Sequence, residues 1–329
     1  MMKPSSLHFS LFPAGDVQTA SSRIRIYTLR GALEKRGIRV TMGYSLKANV
    51  LFIQKKVTLK NIWQARLAKA MGCVIIYDVD DLGEALWYWV SKRNFQEMLS
   101  IAHVVTVCSF KQLEFLLSEY KIEGKGAVIA NAIDYFPLAP VKLKQRERDR
   151  LRIVWFGNKR NFSLLEKYLN VLLQIPHSEI YAIVREKDIP KLSGQHPSVH
   201  FLPWRLDNFV SVLQNCDLAC LMHDGNVYDM AKGNNKMISA ITWGVPAVVS
   251  RTPEYERTAR EAGIEYAVFS DEVDLPAVIE RLRTPAARER YLQTAQPAIW
   301  SRYSPDVITS QYIDLAAKLR IEIKKNQHN

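Results

Sequence analysis

Short runs of Val, Ile, Leu and Phe alternate with longer stretches of helical period along the whole chain, and the series starts afresh near its middle. Runs too short for helices, each followed by an amphipathic segment, are the pattern of βα units feeding a parallel sheet. The first series gives expected strands at His8–Phe12, Arg39–Met42, Val50–Gln54, Val74–Asp78, Val104–Cys108 and Ala127–Ala130, with helices expected over Ser22–Arg36 and Phe110–Tyr120. The second gives Arg152–Phe156, Ile180–Val184, Val199–Leu202, Leu218–Met222, Ala247–Ser250 and Tyr266–Phe269. Two doubly wound α/β domains in tandem are therefore expected, with a ligand in the cleft at their strand ends.

The length of 329 residues suits two cores of about 150 residues each. Pro137 to Arg150 carries two prolines and then dense charge, and reads as the connection. The expected boundaries are a first domain over residues 1–140, a linker over 141–150, a second domain over 151–303 and a returning helix and tail over 304–329. That last segment places Val307, Ile308, Tyr312, Ile313, Leu315 and Ala316 on one side, a face expected to pack back across the domains.

Apolar residues at 48% and charged residues at 24% exclude a disordered chain, and no run approaches the roughly 18 apolar residues a transmembrane helix needs. The opening MMKPSSLHFSLFPAG makes a poor signal peptide and a better first strand. Cys73, Cys108, Cys216 and Cys220 lie in apolar surroundings without metal-ligand spacing, so buried free thiols in a reducing cytoplasm are expected, and no bound metal. The net charge of +12 asks for an anionic partner: nucleic acid, lipid or a phosphorylated small molecule. Arg23, Arg25, Arg30, Lys35, Arg36, Arg39, Lys55, Lys56 and Lys60 contribute to it in a spread that suggests a face.

Two places combine basic residues with a strand-to-helix turn. After the first strand of the second domain comes Gly157-Asn158-Lys159-Arg160-Asn161, where the glycine permits a sharp turn and the next helix offers unpaired N–H groups to an anion. Farther on, Lys232 and Lys236 flank Gly233-Asn234-Asn235 at the expected start of a helix running to Trp243, so both amines are expected to converge on one anion. A charged helix face is the alternative for these two lysines, and a solvated turn for the earlier loop.

The passage from Lys232 and Lys236 through Gly244 and Pro246 to Val248, Val249 and Ser250 resembles the donor-binding region of glycosyltransferases of the family 4 type in the GT-B fold. Phe201-Leu202-Pro203-Trp204, Leu213 and Asp217-Leu218 resemble the segment before it, and Val154 to Gly157 with Lys159 and Arg160 resembles the first strand and basic loop of that domain. In the first half, Ala20 to Arg25 with Arg36-Gly37, Tyr77-Asp78-Val79-Asp80-Asp81, Val104 to Ser109 and Asn131-Ala132-Ile133-Asp134 are similar to elements of such enzymes in the same order. The chain departs from the pattern where a pair of glutamates is usual: Ser239 stands at the second position, and Ala231 and Lys232 lie in the region of the first. His223-Asp224 also replaces a frequent proline.

The resemblance implies two Rossmann-like domains facing across a cleft and a transfer of sugar from a nucleotide-sugar donor to a saccharide or lipid-linked acceptor, with retention, without a metal and with no cofactor besides the donor. It implies a donor-phosphate set of Lys159, Arg160, Lys232 and Lys236, with Gly15, Gly157, Trp204, Asn234, Asn235 and Ser239 as further donor contacts. Asp80 and Asp81 would orient or deprotonate the acceptor, their alternative being to cap a helix beginning near Glu84. Arg23, Arg25, Trp87 and Trp89 are acceptor-side candidates; the arginines read equally well as surface charge and the aromatic Leu86–Val90 segment as core packing. Work in cell-surface polysaccharide or lipopolysaccharide assembly is implied, in the cytoplasm at the inner face of the membrane, with peripheral contact to anionic lipid and no nucleic acid. An epimerase of the same fold, a basic nucleic-acid-binding protein and an inert partner of such enzymes are the competing readings.

Overall fold

The computed structural model of the protein describes residues 6–328, apart from the side chains of Glu84, Arg160, Gln327 and His328. Two compact units emerge. The first takes in the described residues up to Phe136, the three residues Ala231–Gly233 and the chain from Tyr303; the second holds Pro137–Met230 and Asn234–Arg302.

In the first unit β1 (His8–Phe12), β2 (Arg39–Met42), β3 (Val50–Gln54), β4 (Val74–Val79), β5 (Val104–Val107) and β6 (Gly126–Val128) form one sheet in the order β2-β1-β3-β4-β5-β6. All its pairings are parallel. Side chains alternate across the sheet, and the two faces build separate cores. Leu51, Ile53, Ile75, Tyr77, Val105 and Val107 enter one; Val50, Phe52, Val74, Ile76 and Val104 enter the other. The long helix Pro305–His328 covers this second face with Ile308, Tyr312, Ile313 and Ala316, and Tyr312 meets Phe52 edge-on at 5.2 Å. The apolar stripe expected for the last helix is thus spent on the core of the first unit.

The second unit repeats the plan with a different strand order. Its strands are β7 (Leu151–Phe156), β8 (Ser178–Arg185), β9 (Val199–Trp204), β10 (Leu218–Leu221), β11 (Ala247–Ser250) and β12 (Val268–Phe269), arranged β12-β11-β10-β7-β8-β9, again all parallel. Counted from β7 this is the 3-2-1-4-5-6 order of dinucleotide-binding sheets, whereas the first unit has the flavodoxin-like 2-1-3-4-5 order extended by one strand. The direction of winding therefore reverses between β7 and β10 in one sheet and between β1 and β3 in the other. Ligands of open α/β sheets bind beyond the carboxyl ends at such reversals, so these two places are where functional side chains are sought.

Buried charge, rather than periodicity, fixes much of the first unit. The helix over residues 20–35 contains a π-helical turn at Arg23–Tyr27, which turns Arg23 and Arg25 inward. Arg25 forks onto Asp78 of β4, with Nε at 3.0 Å from Oδ2, and its Nη1 donates to the Ile129 carbonyl at 2.6 Å. The Asp78 carboxylate also accepts from the hydroxyls of Thr106 at 2.6 Å and Tyr312 at 3.2 Å. Arg23 makes a bidentate pair with Asp134 at 2.7 and 2.8 Å and donates to the Val17 carbonyl at 2.9 Å. Arg288 ties the second unit together in the same way, through Gln145, the carbonyls of Leu282 and Arg283, and that of Arg146 at 2.7 Å.

His103 connects β4 to the turn before β5: its backbone N–H donates to the Ile75 carbonyl and its Nδ1 accepts from the Ile75 N–H, both at 2.9 Å. Burial, with the charges of Lys69 and Lys125 added, lowers its pKa from 6.5 to about 4. A depressed histidine stabilises the fold while neutral. That stability is complete above pH 6.5 and is lost as pH falls toward pH 4. Allowing for the half-exposed ring, about 1–3 kcal/mol is expected to disappear across this window, and urea melts of His103→Gln should show a correspondingly flatter pH dependence.

Candidate functional site

At the reversal in the first unit, Lys55 directly follows β3. Its φ of +23° is a conformation that side-chain-bearing residues rarely adopt. The backbone is held there by the Lys55 N–H donating to the Asp78 carbonyl at 2.8 Å and by the Tyr77 hydroxyl donating to the Lys55 carbonyl at 3.1 Å. The ammonium, 2% exposed, lies 3.2 Å from Asp80 Oδ1, donates to Asp81 Oδ2 and to the Ser21 hydroxyl at 2.9 Å, and sits over the Trp89 ring at 5.2 Å.

Asp80 is nearly buried, while the Asp81 side chain keeps 34% of its surface. Burial and the neighbouring Asp80 charge raise the Asp81 pKa, and Lys55 and Lys232 act against them. Burial works against the Lys55 charge, but the Asp80 and Asp81 carboxylates outweigh it and its pKa is raised. A partly exposed carboxylate with raised affinity for a proton, oriented by a fixed ammonium, is equipped to take a proton from a hydroxyl. The helix Glu84–Trp87 begins its hydrogen bonds at the Gly83 carbonyl, and the two aspartates engage Lys55.

The neighbouring loop shares this place. Gln54 accepts from the Ala14 N–H at 3.0 Å and from the Ser22 hydroxyl at 2.8 Å, and Ser22 in turn accepts from the Gly15 N–H at 2.9 Å. A Cβ at Gly15 would stand 2.4 Å from Thr19 Oγ1, so the glycine is required by its own loop. The segment Ala231–Gly233 also belongs to this unit: the Ser109 hydroxyl donates to the Ala231 carbonyl at 2.5 Å, and a Cβ on Gly233 would meet Asn131 Nδ2 at 2.8 Å. Lys232, between them, is half-buried and exerts its charge on Asp81.

The second reversal lies between β7 and β10. Gly157 follows β7, and a Cβ there would meet the Trp155 ring at 2.7 Å, so the ring requires the glycine; the Lys236 ammonium would stand 3.3 Å from that Cβ. Lys236 Nζ lies 5.4 Å from the Trp155 ring centre and 5.8 Å from that of Phe156. It is the second residue of the helix Asn235–Thr242. The cap residue Asn234 is buried, gives its amide to the Thr258 hydroxyl at 2.7 Å and makes no side-chain cap bond, leaving the first N–H groups of the helix uncapped by it. The Trp155 Nε1 beside them is buried without a hydrogen-bond partner. The backbone N–H of His223, just after β10, donates to the Ser250 hydroxyl oxygen at 2.8 Å, and its ring lies tilted against Tyr255 at 5.3 Å.

The remaining expectations separate. Lys159 is exposed in a short 3-10 turn after Gly157; the Arg160 side chain lies outside the described residues. Asn235 is half-buried, Ser239 is buried within its helix, and Trp204 ends the edge strand β9, with β8 between it and β7. Lys236 belongs to the second unit and Lys232 to the first, so neither unit by itself holds the expected pair. Arg23 and Arg25 are corrected: both are sequestered by carboxylates and serve the fold, because a guanidinium 1–2% exposed has no free donor surface for an acceptor. Trp87 packs edge-on against Phe95 at 5.5 Å on the rim of a core, as the packing alternative had it, and Trp89 lies half-buried against Lys55. All four cysteines are free and buried; burial pushes Cys73 and Cys216 up to about 12.

Lys55 was not singled out by the sequence analysis, which counted it in the basic face. The available signal was its place: a lysine directly after a strand buried at every position stands at a carboxyl end, where its ammonium needs an acid.

No protein-family model matches the sequence, and no curated protein matches it. Solved structures do. HepE from Anabaena in complex with UDP and glucose is 12% identical and superposes with a TM-score of 0.65 over 94% of this chain and 99% of that one. A glycosyltransferase from Rickettsia africae is 11% identical, with a TM-score of 0.63 and coverage of 95% and 98%. S. aureus MnaA with UDP is 11% identical, with a TM-score of 0.53 and coverage of 93% and 95%. The protein thus has the two-domain, Rossmann-like α/β fold of the GT-B class.

Proposed function

We propose that the protein is a glycosyltransferase that moves a sugar from a nucleotide-sugar donor to the hydroxyl of a saccharide or lipid-linked acceptor. The observation that carries this reading is the placement of Lys236: an ammonium in the first turn of a helix whose cap residue makes no side-chain cap bond, near Gly157, at the topological reversal of the second sheet. UDP or a UDP-sugar is named for solved structures of the same fold. In the reaction the acceptor oxygen bonds to the anomeric carbon, the bond from that carbon to the phosphate oxygen breaks, and the nucleoside diphosphate departs with the electron pair. Lys236, with Lys159, Arg160 and Lys232, would neutralise the departing charge, a task that then needs no metal. The proton passes to Asp81 or to the donor phosphate. Retention of configuration and a role in surface polysaccharide or lipopolysaccharide assembly at the inner membrane face complete the proposal.

Thermal shift against UDP, GDP, CMP, ADP and dTDP sugars tests it. One nucleotide class is expected to raise the Tm, and Lys232→Ala with Lys236→Ala to lose that rise while the unliganded Tm stays put. At a ligand concentration of about 100 times Kd the stabilisation is about 2.7 kcal/mol, well within reach of the measurement. No shift with any nucleotide, or an unchanged shift in the double variant, refutes the donor site. Conversion of the bound nucleotide sugar without an acceptor would instead make the protein an epimerase.

A further inference from the structure

The helix Leu59–Ala70 turns an apolar stripe to solvent. Leu59 is 71% and Trp63 64% exposed, and Met71 at the C-cap is 57% exposed. Leu59 and Trp63 are four residues apart, hence stacked on one face, while Ile62, Ala65 and Ala68 on the opposite face fill the core with Leu51 and Ile53. The helix is well defined at its start: the Thr58 hydroxyl accepts from the Asn61 N–H and Asn61 Oδ1 from the Thr58 N–H, a reciprocal cap. An exposed Leu and Trp on a capped, rigid helix are not the fraying of a loose end.

Along the helix itself the charge has one sign. From Lys55 to Met71 the sequence holds five cationic residues and no carboxylate. Lys56, Lys60 and Arg66 of this set are exposed beside Leu59 and Trp63, and the partner of Arg66 is Glu97 of another helix at 2.7 Å. A stripe with a large aromatic, flanked by long cationic side chains whose stems are themselves apolar, matches a planar anionic surface with an apolar interior.

We infer that the Leu59–Ala70 face docks on an anionic lipid bilayer, with Leu59 and Trp63 entering the headgroup boundary and Lys56, Lys60 and Arg66 pairing with lipid phosphates. The inference deepens the membrane attachment proposed above by naming its surface, and none of the residues it uses belongs to the proposed donor site. It moves the contact away from the aromatic Leu86–Val90 segment, whose Trp87 is engaged with Phe95.

Co-sedimentation of the full chain with vesicles of phosphatidylcholine alone, and with an equimolar phosphatidylglycerol mixture, tests it. Binding is expected to the anionic vesicles only and to weaken with salt. Leu59→Ser with Trp63→Ser, and separately Lys56→Glu with Lys60→Glu, are each expected to weaken it about tenfold or more. All four positions are exposed, so the melting temperature and the nucleotide-induced shift should stay unchanged, which keeps this result separate from that of the donor site. Absence of wild-type binding at low salt, or equal binding by both variants, overturns the inference. So does a concentration-dependent dimer that the Leu59→Ser, Trp63→Ser variant abolishes without any vesicle binding, since the face would then meet a second copy.

Discussion

Arg25→Met is expected to destabilise the first unit by about 3–5 kcal/mol, because it leaves the Asp78 carboxylate buried without its guanidinium. Two strands, two helices and the segment after β6 lose their common anchor at once: Asp78 is on β4, Thr106 on β5, Tyr312 on the last helix, and Arg25, on its own helix, also holds the Ile129 carbonyl beyond β6. At about 2–4 °C per kcal/mol for a unit of this size, the Tm should fall on the order of 10 °C. The cost lies mainly in the stranded charge, so adding Asp78→Asn should restore part of the loss. A circular-dichroism melt of the single and double variants decides it; a single variant within about 2 °C of wild type would show that Asp78 finds other compensation.

Lys55→Met is expected to lower kcat by about 100-fold and to move the acid limb of the kcat/KM profile upward. The sign follows from the charges. Burial and Asp80 already raise the Asp81 pKa, and Lys55 opposes them; without the ammonium the carboxylate stays protonated to higher pH. Lys55→Arg should restore much of the limb. Asp81→Asn should lose about 10²–10⁴-fold and abolish the limb altogether. A purely structural role for Lys55 would instead depress activity evenly across pH, and that pattern would remove Lys55 and Asp81 from the chemistry.

The strands were legible because most are short, largely apolar runs between turn residues. β1, β2, β3 and β11 have the expected bounds, while β8 and β9 extend through Arg185 and Trp204, where hydrogen bonding to a neighbour outlasts the apolar run. β12 is shorter than expected because Glu265–Ala267 winds into a 3-10 turn. What the sequence concealed was the destination of charge. Arg23, Arg25 and Lys55 are spelled like surface residues, and the expected basic face included all three; their acids, Asp134, Asp78 and Asp80 with Asp81, lie 25 to 111 positions away, a separation to which periodicity is blind. The π-helical turn that inverts Arg23 and Arg25 has no composition of its own. Lys236 is marked by local signals, a glycine, asparagines and a helix start, and the structure sets its ammonium near Gly157.

The last helix completes a core that the first strands begin, with Tyr312 reaching Asp78 across 234 positions. A chain emerging from the ribosome therefore carries the second unit's strands into the open before the first unit can close. The sheet that is made first is sealed last, and its Val50, Phe52 and Ile76 face must wait, uncovered by Ile308 and Tyr312, while nearly all the rest is translated. In this protein the order of synthesis and the order of consolidation run in opposite directions, which makes the nascent first sheet the natural client of whatever shields unfinished chains from one another.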